Sequence, residues 1–419
     1  MRVRLRHRAT GLSGRPGWLL SPDALIDMDF AGARYFGKQL GDLTVTRASA
    51  GYAQDQAGNW QAFGANIPRV TNRGLLVESA RTNAIRNNAM QGAVAGTPGT
   101  APANWQIATA LNGLVRSIVG IGTEAGIDYI DVRLAGTTTA TTAFDINPES
   151  WNAVPAAAGQ QWSGSAFLRV VGGSTTGLTT CYLWLYELSS SAGFLATSGG
   201  QITPTPTMAR LIGTRTLSNA SVAFVRPILQ LQFAAGASVD ITLRIGWPQL
   251  EQGGYATSPI RTTGAAQTRA ADLISFPVSG VPNSFSVICS AAHAPALGQG
   301  LLCNLKTSGS PHVMFGSSGS PNLGRMEIGD GQGWSVNRSN TLLTPGQRFK
   351  SAFAYTTNSS RLSVNGGAVT SNIPSSVVVP SLIYLGSASW GALQWGGYIE
   401  RVTLVPAFLT NTELQGITQ

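Results

Sequence analysis

Charge is scarce in this 419-residue chain. Asp, Glu, Lys and Arg together make up 11% of it, well under the ~25% usual for soluble domains. Its surface must therefore be polar without being charged, and abundant Ser, Thr, Asn, Gln and Gly fit that. Lysine is nearly missing: of 28 basic residues only Lys38, Lys306 and Lys350 are lysines. The positive charge thus sits on arginine, which makes fixed two-pronged contacts and packs at interfaces more readily than lysine. Three histidines, His7, His293 and His312, are each isolated. Three cysteines, Cys181, Cys289 and Cys303, are odd in number and lack metal-ligand spacing, so free buried thiols are expected. No run approaches the ~18 apolar residues of a membrane helix. The positive N-terminus is not followed by the apolar segment of a signal peptide. These absences speak against a membrane partner and against a secreted, disulfide-built scaffold.

Catalytic motifs are missing too. There is no H-E-x-x-H, G-x-S-x-G, phosphate loop or paired-cysteine pattern. Asp128 with Asp131, and Glu327 with Asp330, are close acidic pairs. Three positions apart on a strand, such residues face opposite sides, whereas glycoside hydrolysis needs two carboxylates facing one sugar bond. The expectation is a protein that is not an enzyme and holds no cofactor. Structural calcium is common in sandwich folds, yet no dense acidic loop is present to hold it.

What the chain does contain is strand and turn. Hydrophobic residues make up 43%, enough for several cores, while 50 Gly and 21 Pro would break helix interiors repeatedly. Segments such as "IDYIDVRLAG", "CYLWLYEL", "VRPILQLQF", "SFSVICSA" and "IERVTLVPAF" alternate and are separated by turn residues, as in β-sandwiches and jelly rolls. "VNGGAV" is a hairpin signal at Asn365–Gly367. Thr410 and Glu413 form a T-x-x-E capping box before a short terminal helix. The expected fold is all-β: an N-terminal attachment region over 1–83, a jelly roll over 84–262 and a second β-sandwich over 263–419.

Alternation also nominates binding residues. In "CYLWLYEL" Tyr182, Trp184 and Tyr186 share one face and Cys181, Leu183 and Leu185 the other. In "ILQLQF" Gln230 and Gln232 oppose Leu229, Leu231 and Phe233. In "VDITLRI" Arg244 lies with Asp240 and Thr242, opposite the aliphatics. Flat rings stack on sugar faces, and amides and arginine supply hydrogen bonds. A face of this kind suits a neutral or acidic glycan, or equally a neighbouring subunit. Trp334, Trp390 and Trp395 lie in the third region, the last two in Gly-rich sequence, and either grip a ligand or plug the sheet ends. "RVRLRHR" at 2–8 read as a strand puts Arg2, Arg4, Arg6 and Arg8 on one face, suited to an acidic partner or to phosphates. No aromatic residue interleaves with it, which speaks against nucleic acid.

The stretch "TVTRASAGYAQDQAGNWQAFGANIPRV…GLLVESARTNAIRNN" resembles the N-terminal part of tailed-phage fibre and head-spike proteins. "GAVAGTPGTAPANW" and "GWPQLEQGGYATSPIRTTGAAQTRAADL" resemble the segments that bracket a carbohydrate-module-like jelly roll in that family, and gene transfer agent head spikes look similar. "GYIERVTLVPAFLTNTELQGIT" resembles the close of a concanavalin A-like, laminin-G-type sandwich. The resemblance implies a structural virion surface protein that binds host cell-surface glycans for adsorption. It would be made in the host cytoplasm and docked on capsid, portal or tail proteins through a region containing Arg2, Arg4, Arg6 and Arg8. It further implies a homo-oligomer, a trimer as in most fibres or a pentamer at a capsid vertex. "GLLVESARTN" would be the strap leading from the docking region to the distal domains. A polysaccharide depolymerase and a passive capsid decoration protein without ligand are the alternatives.

Overall fold

The computed structural model describes residues 24–292, 299–307, 309, 311–318, 322–329 and 333–419. Arg2, Arg4, Arg6, Arg8, His7, His293 and Asp330 lie outside the described residues. The fold is all-β. Among the described residues the exceptions are a 3-10 turn at Leu40–Asp42 and the closing α-helix Asn411–Thr418. No helix among them is long and apolar enough to cross a membrane.

The chain forms two compact units that are not consecutive in sequence. One is built from the described residues of 24–57, 62–80 and 270–419, the other from 58–61 and 81–269. The first unit packs two sheets. One runs in the order Arg34–Phe36, Ile26–Asp29, Gly397–Val405, Ser284–Ala292, Arg348–Thr356, Ser359–Val364 and Thr370–Asn372, with Gly74–Val77 also joined to Gly397–Val405. The other runs Trp334–Leu342, Leu323–Gly329, His312–Ser318, Gln299–Lys306, Leu382–Leu385, Leu273–Pro277 and Thr44–Thr46. Their inward side chains form one continuous core, including Phe285, Leu302, Phe315, Phe353 and Ile399. Each such side chain, fully withdrawn from water, contributes about 1.5–3 kcal/mol.

Two strands from the stretch expected to form a separate N-terminal region pair into the C-terminal sandwich. Ile26–Asp29 pairs with Gly397–Val405 in the register Met28↔Val402, and Thr44–Thr46 pairs with Leu273–Pro277. Strands this short cannot bury a core of their own, and a sandwich edge gains from being covered. Charge locks the union: Arg401 Nε donates to Asp27 Oδ1 at 2.7 Å, and Thr403 Oγ1 donates to the same oxygen at 3.0 Å.

"GLLVESARTN" is likewise more than a strap. Gly74–Val77 is a buried strand, with Leu75 and Val77 in the main core and Leu76 packed with Ala53 and Tyr398. Gly74 has φ +121°, and a Cβ there would meet the Ile399 carbonyl oxygen at 2.5 Å, so glycine is required. Glu78 then joins a buried ion cluster. Arg69 Nη1 donates to Glu78 Oε2 at 2.7 Å and its Nη2 to Asp272. Arg47 Nη1 donates to Asp272 Oδ1 at 2.9 Å. Four charged residues far apart in the sequence thus converge on one structural knot.

The hairpin and helix expected near the C-terminus are present. Asn365 and Gly366 take positive φ between Ser359–Val364 and Thr370–Asn372, which pair antiparallel. The Thr410–Glu413 capping box is formed, and Leu414 packs on Ile288, Ala352 and Ala354.

The second unit is a jelly-roll sandwich. Its six-stranded sheet runs Ala110–Leu111, Leu114–Glu124, Ile127–Thr137, Ser238–Gln252, Gln161–Gly173 and Ala209–Thr216. Its five-stranded sheet runs Phe194–Ile202, Leu178–Leu188, Phe224–Phe233, Thr142–Asn147 and Gln106–Ile107. Asparagines of "RTNAIRNN" tie the start of this unit to its end. Asn83 Oδ1 accepts from Ile85 N and Leu250 N, both at 3.0 Å. Asn88 accepts from Thr262 N at 2.7 Å and donates to the Ile260 carbonyl at 3.0 Å.

Candidate functional site

Strand pairing assembles a polar and aromatic face on the five-stranded sheet. Successive side chains on a strand alternate sides. Cys181, Leu183, Leu185, Leu229, Leu231, Phe233, Phe144 and Ile146 are buried in the unit's interior. Tyr182, Trp184 and Tyr186 point the other way and are half-buried. In register, Tyr182 lies opposite Gln230, Trp184 opposite Ile228 and Tyr186 opposite Arg226. On the far side of that strand Asp145 lies opposite Gln230.

The Tyr182 and Trp184 rings stack, with centroids 4.3 Å apart and planes 19° from parallel. Tyr186 meets Phe194 edge-on at 5.0 Å. Gln230 is the hub of the polar part. Its Oε1 accepts from Trp184 Nε1 at 3.2 Å and from Gln232 Nε2 at 3.0 Å, and its Nε2 donates to Asp145 Oδ1 at 2.8 Å. Thr180 Oγ1 extends the chain, donating to Gln232 Oε1 at 2.7 Å. The platform is therefore held rigid by a network whose amide orientations are set before any ligand arrives.

Arg226 is the unusual member. Its residue is 0% exposed, and none of its three guanidinium nitrogens has a hydrogen-bond partner among the described residues. The guanidinium carbon stands 3.6 Å from the ring centroid of Trp151, which is itself 40% exposed. Leaving a buried donor unpaired costs about 1–3 kcal/mol, more when it is charged, and an aromatic face offsets only ~2 kcal/mol of that. Burial pulls the Arg226 pKa down to about 10, opposed by the Asp145 charge and by the nearby Tyr186 phenol, and the group stays cationic at neutral pH. Burial likewise pushes the Asp145 carboxyl above its ordinary range, against the Gln230 hydrogen bond and the Arg226 charge. Asp145, Asn147, Gln106 and Trp151 line a cleft of about 600 Å³.

No family model matches this chain, and no curated protein matches it. Solved structures do resemble it. The carbohydrate-binding module CBM40 of the Ruminococcus gnavus IT-sialidase, bound to α2,3-sialyllactose, is 16% identical at a TM-score of 0.29, covering 32% of this chain and 83% of that one. The CBM22 tandem domain of Paenibacillus barcinonensis Xyn10C is 10% identical at a TM-score of 0.25, covering 76% and 96%. The tripod from the baseplate of bacteriophage Tuc2009 is 11% identical at a TM-score of 0.30, covering 75% and 97%.

Of the residues nominated from sequence, five gather on this face: Tyr182, Trp184, Tyr186, Gln230 and Gln232. Arg244 does not. It stands on the six-stranded sheet, where its Nε and Nη2 donate to Asp131 at 2.8 Å and its Nη1 to Glu124 at 2.9 Å, over the Tyr129 ring at 3.5 Å. Its own sheet neighbours pair it there, on a different sheet from the other five. The three tryptophans belong to the first unit. Trp395 is 0% exposed, sits in the main core and donates from Nε1 to the Ala292 carbonyl at 3.1 Å. Apolar packing therefore withdraws it from any ligand. Trp334 and Trp390 are exposed, and Trp390 meets His312 edge-on at 6.3 Å.

Sequence reasoning missed Arg226, Asp145 and Trp151. A signal existed for two of them. In "VRPILQLQF" Arg226 has the same parity as Gln230 and Gln232, and in "TAFDIN" Asp145 breaks an apolar pattern. Trp151 lies beyond any strand and carried no periodic signal. Among the described residues no group of three or more His, Cys, Asp or Glu side chains is placed to hold a metal ion.

Proposed function

We propose that this chain binds glycan on the outward face of the five-stranded sheet and does so at the surface of a phage or phage-like particle. One observation carries the binding part: a half-exposed Tyr182–Trp184 stack beside a pre-oriented amide network centred on Gln230. Stacked rings offer a flat apolar surface to a pyranose, and the amides offer donors and acceptors to its hydroxyls. The particle setting is supported by the sequence motifs. Several copies on one particle would multiply weak single contacts, because each bound copy raises the local concentration for the next.

The test is adsorption of particles carrying Trp184→Ala or Tyr186→Ala. Assembled particles that no longer adsorb to host cells support the reading. Particles that fail to assemble show instead that the face packs against another subunit. Release of new reducing ends from host polysaccharide, lost on changing a single carboxylate, would replace binding by hydrolysis.

A further inference from the structure

Arg226 poses a question the platform does not answer. A buried cation with three unpaired nitrogens is costly and calls for a reason. It projects from the same sheet face as Gln230, opposite Tyr186, so it lies at the edge of the aromatic platform. Trp151, in the turn that follows the Thr142–Asn147 strand, lays its ring over the guanidinium. That ring is 40% exposed and lines the cleft together with Asp145 and Asn147. Planar guanidinium groups match carboxylates with two parallel hydrogen bonds.

We infer that the glycan is acidic, and that its carboxylate displaces the Trp151 indole and is taken by the Arg226 guanidinium. This rests on the glycan-binding reading and names the class of sugar within it: one bearing a carboxylate, such as a uronic or nonulosonic acid. Trp151 is a removable cover that holds the cation in an apolar seat until an anion of the right shape arrives. The Tyr182–Trp184 platform carries the neighbouring ring, and Gln230 keeps Asp145 hydrogen-bonded at the site's margin.

The test uses the full chain on an array of acidic oligosaccharides, each beside its carboxyl-reduced neutral counterpart. Wild-type protein should bind acidic members about tenfold or more tightly than their reduced partners. Arg226→Gln should abolish that preference while neutral binding persists. Trp151→Ala, at an exposed position, should fold normally and keep or enlarge the preference. The difference in tryptophan emission between wild type and Trp151→Phe should change on adding an acidic member and stay constant with its neutral partner. Equal binding of both members by wild type overturns the inference and leaves the glycan reading standing. No binding to any member overturns both. A preference that survives in folded Arg226→Gln, or vanishes in Trp151→Ala, assigns the acid to another group and overturns the inference.

Discussion

Asp272 Oδ1 accepts a hydrogen bond from Arg47 Nη1 at 2.9 Å across 225 residues of sequence. Both side chains are fully buried. The same carboxylate takes a second arginine, Arg69, and the backbone N–H of Glu78 at 2.9 Å. It therefore joins the N-terminal segments to the C-terminal sandwich. Removing one partner of a buried pair leaves an uncompensated charge, which costs about 3–5 kcal/mol. Asp272→Ala should lower the urea midpoint of the first unit by that equivalent.

Glu187 gives the second unit an acid-sensitive joint. Burial opposes its charge, but the N–H groups of Ser218 and Asn219 and the Arg215 guanidinium outweigh it, so its pKa is depressed. The contacts are close: Ser218 N and Asn219 N at 2.9 Å and Arg215 Nε at 2.7 Å. A depressed carboxylate stabilises fully above its unfolded pKa, about 4.3, and loses that contribution as pH falls through the lower folded value. Wild type should be more stable than Glu187→Gln at neutral pH, and the gap should close on acidification, as followed by denaturant unfolding at a series of pH values.

The aromatic platform should be separable from the fold. Trp184→Ala should weaken glycan binding about tenfold or more. It should destabilise the protein modestly, since the stack with Tyr182 contributes about 0.5–1.5 kcal/mol. Titration calorimetry against unfolding measurements distinguishes the two effects.

The three cysteines should be silent to thiol reagents in the native state. All are free and buried, and burial pushes the Cys181 thiol up to about 12. The Cys303 thiol is raised by a hydrogen bond with Cys289 and by burial. Only thiolates react at a useful rate. Labelling should appear in step with unfolding, and rapid native labelling of any of the three would contradict the structure.

Much of this was legible along the chain. The two-residue period of "CYLWLYEL" and "ILQLQF" placed Tyr182, Trp184, Tyr186, Gln230 and Gln232 on the outward face, because Cβ direction alternates whatever the partner strand. The capping box and the "VNGG" turn were legible for the same reason: their chemistry is complete within a few residues. Arg244 turned out to stand on the other sheet, because parity says which side of a sheet a residue faces and not which sheet it joins. For Trp395 the Gly-rich flanks left a ligand grip and a plug at the sheet ends both open, and the ring fills the core.

Alternation, turn chemistry and the all-β class were thus determined by sequence alone, since each arises from local backbone geometry and side-chain polarity. Tertiary structure decided everything that depends on pairing between distant segments. It placed Ile26–Asp29 and Gly74–Val77 beside Gly397–Val405, closed the Arg47–Asp272–Arg69–Glu78 cluster, and set Trp151 over Arg226. The physical reason is that burial and charge pairing are satisfied by whichever residues meet in space, and on this chain those residues are separated by tens to hundreds of positions.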